Sequence, residues 1–394
     1  MSKIIFFCIP AHGHTNPTLG VVRELVSRGH EVFYYSYDIM REKIESAGAT
    51  FISCDDYDME QRLSAKEAVR VGKDLAFSTK ILVDTTLALE DKVCREIAEL
   101  KPDLIVADSM ALWGKAAALK LGIPFVSSTT TFAFNRHSAK VMKQGLMDLF
   151  KMIFSMHKVA KQVKRLKDKG YPVKSILDII GNDDNTHTIV YTSPEFQPCS
   201  ETFSEKYAFV GPSIRSATEE IDKKRDRLVY ISMGTVNNDM MPFYKTCICA
   251  FKDTDYQVIM SVGNLVSIED FGKLPENISV YSRVDQIAVL EKADVFVSHS
   301  GMNSVSESLY FGVPLVMLPQ TQEQKGVAER VVELGAGIKL DKLDGESVLR
   351  AVKQILHDST YKKNAEEVAD GFKNCPGAKG AADKIIQVCN DIKL

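Results

Sequence analysis

The sequence has no CxxC pair, no GxGxxG turn, no apolar run of bilayer length and no marked excess of either charge. Each absence excludes something. The eight cysteines are scattered, and only Cys247 and Cys249 stand close together, so buried or reduced thiols are expected, not a disulfide or metal framework. Spanning a bilayer takes about 18 consecutive apolar residues, and no stretch approaches that. A formal net charge of −3 argues against a general nucleic-acid binder. The run from Ile4 to Pro10 has no small-residue cleavage site and reads as a buried first strand, not a signal peptide; a cytoplasmic location is expected. With 45% hydrophobic and 26% charged residues, the 394-residue chain reads as soluble and globular. Its length suits two domains of roughly 150–200 residues.

The most informative stretch runs from Val295 to Pro314. Val295 to Val297 is a β-rich apolar run, His299-Ser300-Gly301 a polar turn, and the segment after it has the length of a helix ending at Gly312. In a parallel sheet such a turn lies at the carboxyl end of its strand, where ligands bind. A helix start there offers unpaired N–H groups and partial positive charge, which suit phosphate. Gly301 allows close backbone approach, and His299, Asn303 and Ser304 add donors. Glu307 shares the Asn303 face of the helix. A carboxylate repels phosphate but accepts from sugar hydroxyls, so the stretch reads as a site for a diphosphate next to a ribose. A second strand and turn, Leu228 to Ser232 followed by Met233-Gly234-Thr235, again suggests hydroxyl and backbone contacts to phosphate.

At the amino terminus, Lys3 to Ile9 and Glu31 to Ser36 read as strands. Pro10 to Asn16 reads as a loop, and Pro17 as the first turn of a helix that ends before Gly29. Without GxGxxG, this βαβ opening does not favour a nicotinamide cofactor. In its place stands His12-Gly13-His14-x-x-Pro17. A lone histidine is more often structural than catalytic, and Asp108, after the strand Leu104 to Ala107, would ordinarily be a helix cap.

From Arg283 to Gln324 the chain resembles the donor-binding signature of the UDP-glycosyltransferases of glycosyltransferase family 1. Gln286, His299-x-Gly301-x-Asn303-Ser304, Glu307, Gly312-Val313-Pro314, Pro319 and Glu323-Gln324 carry the resemblance. The bacterial macrolide and flavonoid glycosyltransferases are the nearest by motif, and the His-Gly-His-x-x-Pro loop extends the likeness to the amino terminus. The resemblance implies the GT-B fold, α/β, with two Rossmann-like domains of parallel sheet facing a cleft. It implies that His14 is the general base, oriented by Asp108, with His12 as the competitor. A neutral imidazole takes a proton from a hydroxyl near pH 7, and a carboxylate partner fixes its tautomer. Ser232, Gly234, Thr235, Arg283, Val284, Gln286, His299, Gly301, Asn303, Ser304 and Glu307 are implied nucleotide contacts, and Glu323 and Gln324 sugar contacts. Thr235 stands where the family usually has Ser. Arg283 stands where it has an aromatic that stacks on uracil, and a guanidinium plane can stack too. Asp285 stands where Pro is usual.

The implied reaction is inverting transfer of a hexose, expected to be glucose, from a UDP-sugar to a hydroxyl of a small hydrophobic acceptor such as a macrolide, flavonoid or other phenolic. No cofactor or metal is expected. The pairs Asp56-x-Asp58 and Asp253-x-Asp255 have the form of metal-holding motifs but read as surface-loop acids. His299 and the positive helix ends are expected to take over the metal's charge role. Between residues 140 and 174 ten basic residues interleave with apolar ones against Asp148 and Asp168. That stretch raises the alternative of a membrane-surface lipid glycosyltransferase. The plainer reading, acceptor-domain helices with a solvated basic face, is preferred. A nucleotide-sugar epimerase and a non-catalytic UDP-sugar-binding protein are the remaining alternatives. The expected domains are 1–211 for the acceptor and 228–394 for the nucleotide sugar, joined by a polar linker at 212–227, with the last helix returning to the first domain.

Overall fold

Two parallel sheets with one strand order organise the chain. The structure is a computed structural model and describes residues 1–55, 70, 74–138, 146–173, 186–234 and 239–391, with the backbone alone over 146–156. Asp56-x-Asp58, Thr235 and residues 140–145 and 174 of the basic stretch lie outside the described residues. Contacts divide the chain into Met1–Ser213 with Cys375–Leu394, and Ile214–Asn374.

The first unit runs β1 (Lys3–Phe7), α1 (His12–Ser27), β2 (Glu31–Ser36), α2 (Arg41–Ser46), β3 (Thr50–Ser53), α3 (Leu75–Leu100), β4 (Leu104–Asp108), α4 (Leu112–Leu121), β5 (Phe125–Thr129), α5 (Leu146–Asp168), β6 (Thr188–Val190) and β7 (Tyr207–Phe209). The second runs β8 (Leu228–Ser232), α6 (Met241–Phe251), β9 (Gln257–Ser261), β10 (Ile278–Tyr281), α7 (Gln286–Leu290), β11 (Val295–Ser298), α8 (Met302–Tyr310), β12 (Leu315–Met317), α9 (Gln322–Glu333), β13 (Gly337–Lys339), α10 (Gly345–His357) and α11 (Ser359–Lys373). The last helix, α12 (Gly377–Asp391), belongs to the first unit.

The strand orders are β3-β2-β1-β4-β5-β6-β7 and β10-β9-β8-β11-β12-β13. Each reverses direction once, between β1 and β4 and between β8 and β11. Ligands of open parallel sheets bind at that switch point, outside the carboxyl ends of the strands. The flanking strands are apolar because helices cover both faces; every residue of β4, β8 and β11 is buried.

Three readings are corrected. Helix α1 begins at His12, so Pro17 lies inside it and His14 stands in its first turn, not in a loop. Ala11 O accepts from both His14 N and Thr15 N and closes that turn. The segment 214–227 is not a free linker. Asp285 takes Arg215 and Thr218, and Asp294 takes Lys223 and Arg227, so four side chains tie it to the second unit. The boundary therefore falls after Ser213.

Helix α5 bears on the lipid reading. Val159, Val163 and Leu166 are buried, and the helix packs on α3, while Lys158, Lys161, Lys164 and Lys167 are exposed. These three large apolar side chains are spent on the core, and insertion into a lipid interface needs an outward apolar face.

Candidate active site

In the first unit, three strand ends bring together residues far apart in sequence. His14 follows β1, Asp108 ends β4, and Thr130 follows β5; β4 is the neighbour of both other strands. His14 Nδ1 lies 2.8 Å from Asp108 Oδ2 and 3.2 Å from Thr130 Oγ1. The His14 side chain is 19% exposed and the Asp108 side chain 1%. Asp108 Oδ1 accepts from Met110 N at 2.8 Å, so the carboxylate also holds the turn into α4. Both roles considered for Asp108, cap and histidine partner, are thus filled, one by each oxygen. His12 points elsewhere, with Nδ1 3.3 Å from Lys43 Nζ. Burial, and then the Asp108 carboxylate, pushes the nearby Cys8 thiol well above its ordinary value, so it is no nucleophile. From sequence, Ser128 to Phe132 reads only as a polar loop near the presumed cleft; Thr130 is the middle one of three consecutive threonines, and nothing local marks it as the partner of His14.

The second unit repeats the placement. Ser232 and Ser298 are paired at the ends of β8 and β11. Gly234, at φ +83°, follows one and His299 the other. The His299 ring is wedged between two glycines. A Cβ on Gly234 would stand 2.6 Å from its Cε1, and one on Gly301 2.7 Å from its Nε2. Ser300 is held at φ +69°, a left-handed conformation rare for serine, with its N–H donating to Ser298 Oγ at 3.2 Å. That kink starts α8 immediately, with Gly301 at the cap and Asn303 and Ser304 in the first turn.

Burial lowers the His299 imidazole to about 4, and its Nδ1 is inaccessible, without a hydrogen-bond partner among the described residues. At pH 7 the ring is neutral. The neutral ring offers an N–H at this strand end. The shift has a consequence for stability. The unfolded chain protonates this histidine near 6.5, the folded one only near 4, so U binds more protons between those values. Stability is complete above about pH 6.5 and falls towards pH 4, by about 3 kcal/mol at the upper end. Urea midpoints between pH 4 and 7 should show a shallower slope for His299→Gln than for the unmodified protein. Equal slopes would place the pH dependence elsewhere.

Around α8, Gln286 joins three neighbours. Its Oε1 accepts from Tyr230 Oη at 3.2 Å, and its Nε2 donates to Glu307 Oε2 and, at 3.4 Å, to Ser304 Oγ. Burial raises the Glu307 carboxyl, and the Gln286 amide partly offsets it. Val284 is half-buried beside them and Arg283 is exposed. At the next strand end, Glu323 is exposed in the first turn of α9. Gln324 closes a capping box: its Oε1 accepts from Gln320 N at 2.7 Å and Thr321 N at 3.1 Å. That leaves its amide as a donor. Asp253 and Asp255 are exposed side chains flanking Thr254, far in sequence from either strand-end cluster.

Residues 246–388 match the family model of the erythromycin biosynthesis protein CIII-like C-terminal domain. The NDP-glycosyltransferase YjiC of Bacillus licheniformis is 36% identical over 393 residues, covering 97% of this chain and 96% of that protein. The chain belongs to this glycosyltransferase family. The likeness extends to YojK of Bacillus subtilis, an uncharacterized UDP-glucosyltransferase by name, at 32% identity over 98% of this chain and 97% of that protein. Among solved structures, the glycotransferase of kitacinnamycin superposes with a TM-score of 0.85 at 25% identity, over 98% of each chain. The fold of this glycosyltransferase is therefore GT-B, with one parallel α/β sheet in each unit. The family match covers α8 and α9, so the wedged His299 and the Gln324 capping box fall within it.

Proposed function

We propose that this glycosyltransferase moves glucose from UDP-glucose to a hydroxyl of a small apolar natural product, with inversion at the anomeric carbon. The observation that carries the reading is the 2.8 Å pair of His14 Nδ1 and Asp108 at adjacent strand ends. With Nδ1–H donated to Asp108, Nε2 is the basic nitrogen. It takes the proton of the acceptor hydroxyl as that oxygen attacks C1 of the sugar. The bond from C1 to the phosphate oxygen breaks, UDP leaves, and an α-linked donor yields a β-glycoside. Asp108 then stabilises the imidazolium.

The donor is proposed to lie on the second unit. The start of α8, Ser304, Asn303, Ser232 and the Gly234 backbone face the diphosphate, with the neutral His299 as one more N–H donor. Thr235 is assigned to the same group from the sequence pattern alone. Glu307 accepts from the ribose, while Arg283 and Val284 meet the base. The sugar meets a donor and an acceptor side by side, the Gln324 amide and the Glu323 carboxylate. The proposed step uses no metal. Support for a natural-product acceptor comes from the erythromycin-related family model and the kitacinnamycin enzyme, and support for UDP-glucose from the name of YojK.

UDP release from UDP-glucose, with and without a panel of macrolide and phenolic acceptors, tests this. Acceptor-stimulated release is expected, and Asp108→Asn should lower it by about 10²–10⁴-fold through the wrong imidazole tautomer, with UDP affinity intact. Release that no acceptor stimulates, or an Asp108→Asn enzyme of full activity, would overturn the reading.

A further inference from the structure

Arg215, Thr218 and Asp285 form a cluster that the proposed reaction leaves unused. Asp285 caps α7, and its side chain is 2% exposed. Its Oδ1 accepts from Ile287 N at 3.1 Å, Ala288 N at 3.5 Å and the Arg215 guanidinium. Its Oδ2 accepts from Thr218 N at 2.6 Å and Thr218 Oγ1 at 2.7 Å. A short helix needs only the first two of these donors for its cap. The other three come from 67 and 70 residues away. Burying a carboxylate is costly unless it is fully paired, and here the pairing fixes a distant segment. The neighbouring residue is Gln286, whose amide holds Glu307.

We propose that Arg215 and Asp285 are positioning residues of the donor site, holding Gln286 and Glu307 in the arrangement that accepts the ribose hydroxyls of a nucleotide. The inference rests on the donor-site reading above. Ionised, Glu307 presents both oxygens as acceptors and takes hydroxyl donors better than the protonated acid, which has to place its own O–H. Burial opposes ionisation; Gln286 and Arg215 favour it, and Asp285 opposes it. Of the other charges on the elements packed around α8, Glu323 and Lys325 stand at the start of α9 and Glu329 pairs with Lys339. At the far end of α8, Lys362 and Glu366 of α11 lie against Gly312 and Lys373 lies over the Tyr310 ring, while Arg330 of α9 pairs with Glu333. Asp285 itself is pushed up by burial, and Arg215 with both Thr218 donors outweighs this and holds it well below the ordinary carboxylate range. It therefore stays negative throughout the working pH range.

Opposite charges at 215 and 285 give opposite signatures. Loss of the Arg215 charge makes Glu307 protonate at higher pH; loss of the Asp285 charge makes it protonate at lower pH. The experiment is the KM for UDP-glucose and the affinity for UDP, from pH 5 to 8, for the full-length protein and for Arg215→Gln, Arg215→Lys and Asp285→Asn. Arg215→Gln should raise KM by about 3–10-fold at the acid end, narrowing towards pH 8, with kcat within about 2-fold. Arg215→Lys should keep the original profile, and Asp285→Asn should move the acid limb the other way. Equal changes in the Arg215→Gln and Asp285→Asn proteins at every pH mean loosened packing and overturn the proposal, as does an Arg215→Lys protein that behaves like Arg215→Gln. Arg215 is half exposed, so its two variants decide the matter even where Asp285→Asn does not fold. A parent protein that binds no UDP sinks the donor-site reading itself; UDP binding without these signatures sinks the pair alone.

Discussion

Replacing His14 with alanine lowers acceptor-stimulated UDP release by about 10²–10⁴-fold and leaves UDP affinity unchanged. The size follows from the chemistry: at pH 7 an alcohol is a poor nucleophile, and no other described side chain on the β1, β4 and β5 ends offers a basic nitrogen beside a buried carboxylate. His12 is a poor substitute, because its ring lies beside the Lys43 ammonium and not on Asp108. The variant should also fold. His14 is partly exposed, and losing it leaves Asp108 Oδ1 on Met110 N. Some stability is lost because Asp108 Oδ2 loses its hydrogen bond to His14 Nδ1. Rates, UDP titrations and melting curves of the same preparation check all three statements. A His14→Ala protein with full transfer activity makes His14 structural and ends the base assignment.

Gly234→Ala weakens UDP binding by about 10–100-fold and destabilises the protein by about 2–4 kcal/mol. Two costs add. Alanine at φ +83° is strained by about 1–2 kcal/mol wherever it occurs. Its Cβ also meets His299 Cε1 at 2.6 Å, so the ring must leave its place between the glycines. Gly29 separates these costs. Its φ is +82°, and a Cβ there meets nothing within 4 Å. Gly29→Ala should therefore carry the strain and leave UDP binding alone. Denaturant midpoints and calorimetric UDP titrations of both variants make the comparison. Equal behaviour of the two would mean that the His299 ring has no part in holding the nucleotide.

The legibility of this molecule follows the range of its interactions. The strand, turn and helix around His299 could be read because each part is local: a β-branched run, a glycine, a helix-length segment. The His14 and Asp108 pair needed the family likeness, since 94 residues separate them and only sheet order makes them neighbours. Thr130 and Asp285 were not legible as partners. One depends on β5 lying beside β4, the other on a connector folding back by about 70 residues. Asp285 was noticed only as a departure from a pattern. Gln324 carries two signals at once: Thr321-x-x-Gln324 is a local capping-box signature, and the same residue falls in the family likeness as a sugar contact. The helix start at His12 was missed because glycine and histidine in the first turn are poor helix formers, overridden by the Ala11 carbonyl and burial of Thr15 and Pro17.

The placement of α12 has a consequence for how the chain is made. Ala381, Ala382, Ile385, Val388 and Cys389 share one buried cluster with Leu19, Val22 and Leu25 of α1. Gly20 leaves room for the contact, since a Cβ there would stand 3.3 Å from Ala378 Cβ, and Arg28 pairs with Asp383 at 2.6 Å. Ribosomes add about 5–20 residues per second, so the interval between Ser213 and this helix lasts roughly 10–35 seconds. During it, the α1 face of the first unit waits uncovered, while the uninterrupted segment Ile214–Asn374 emerges whole. The amino-terminal half is thus synthesised first and completed last, and a nascent chain stalled short of residue 377 exposes the apolar side of α1 to chaperones.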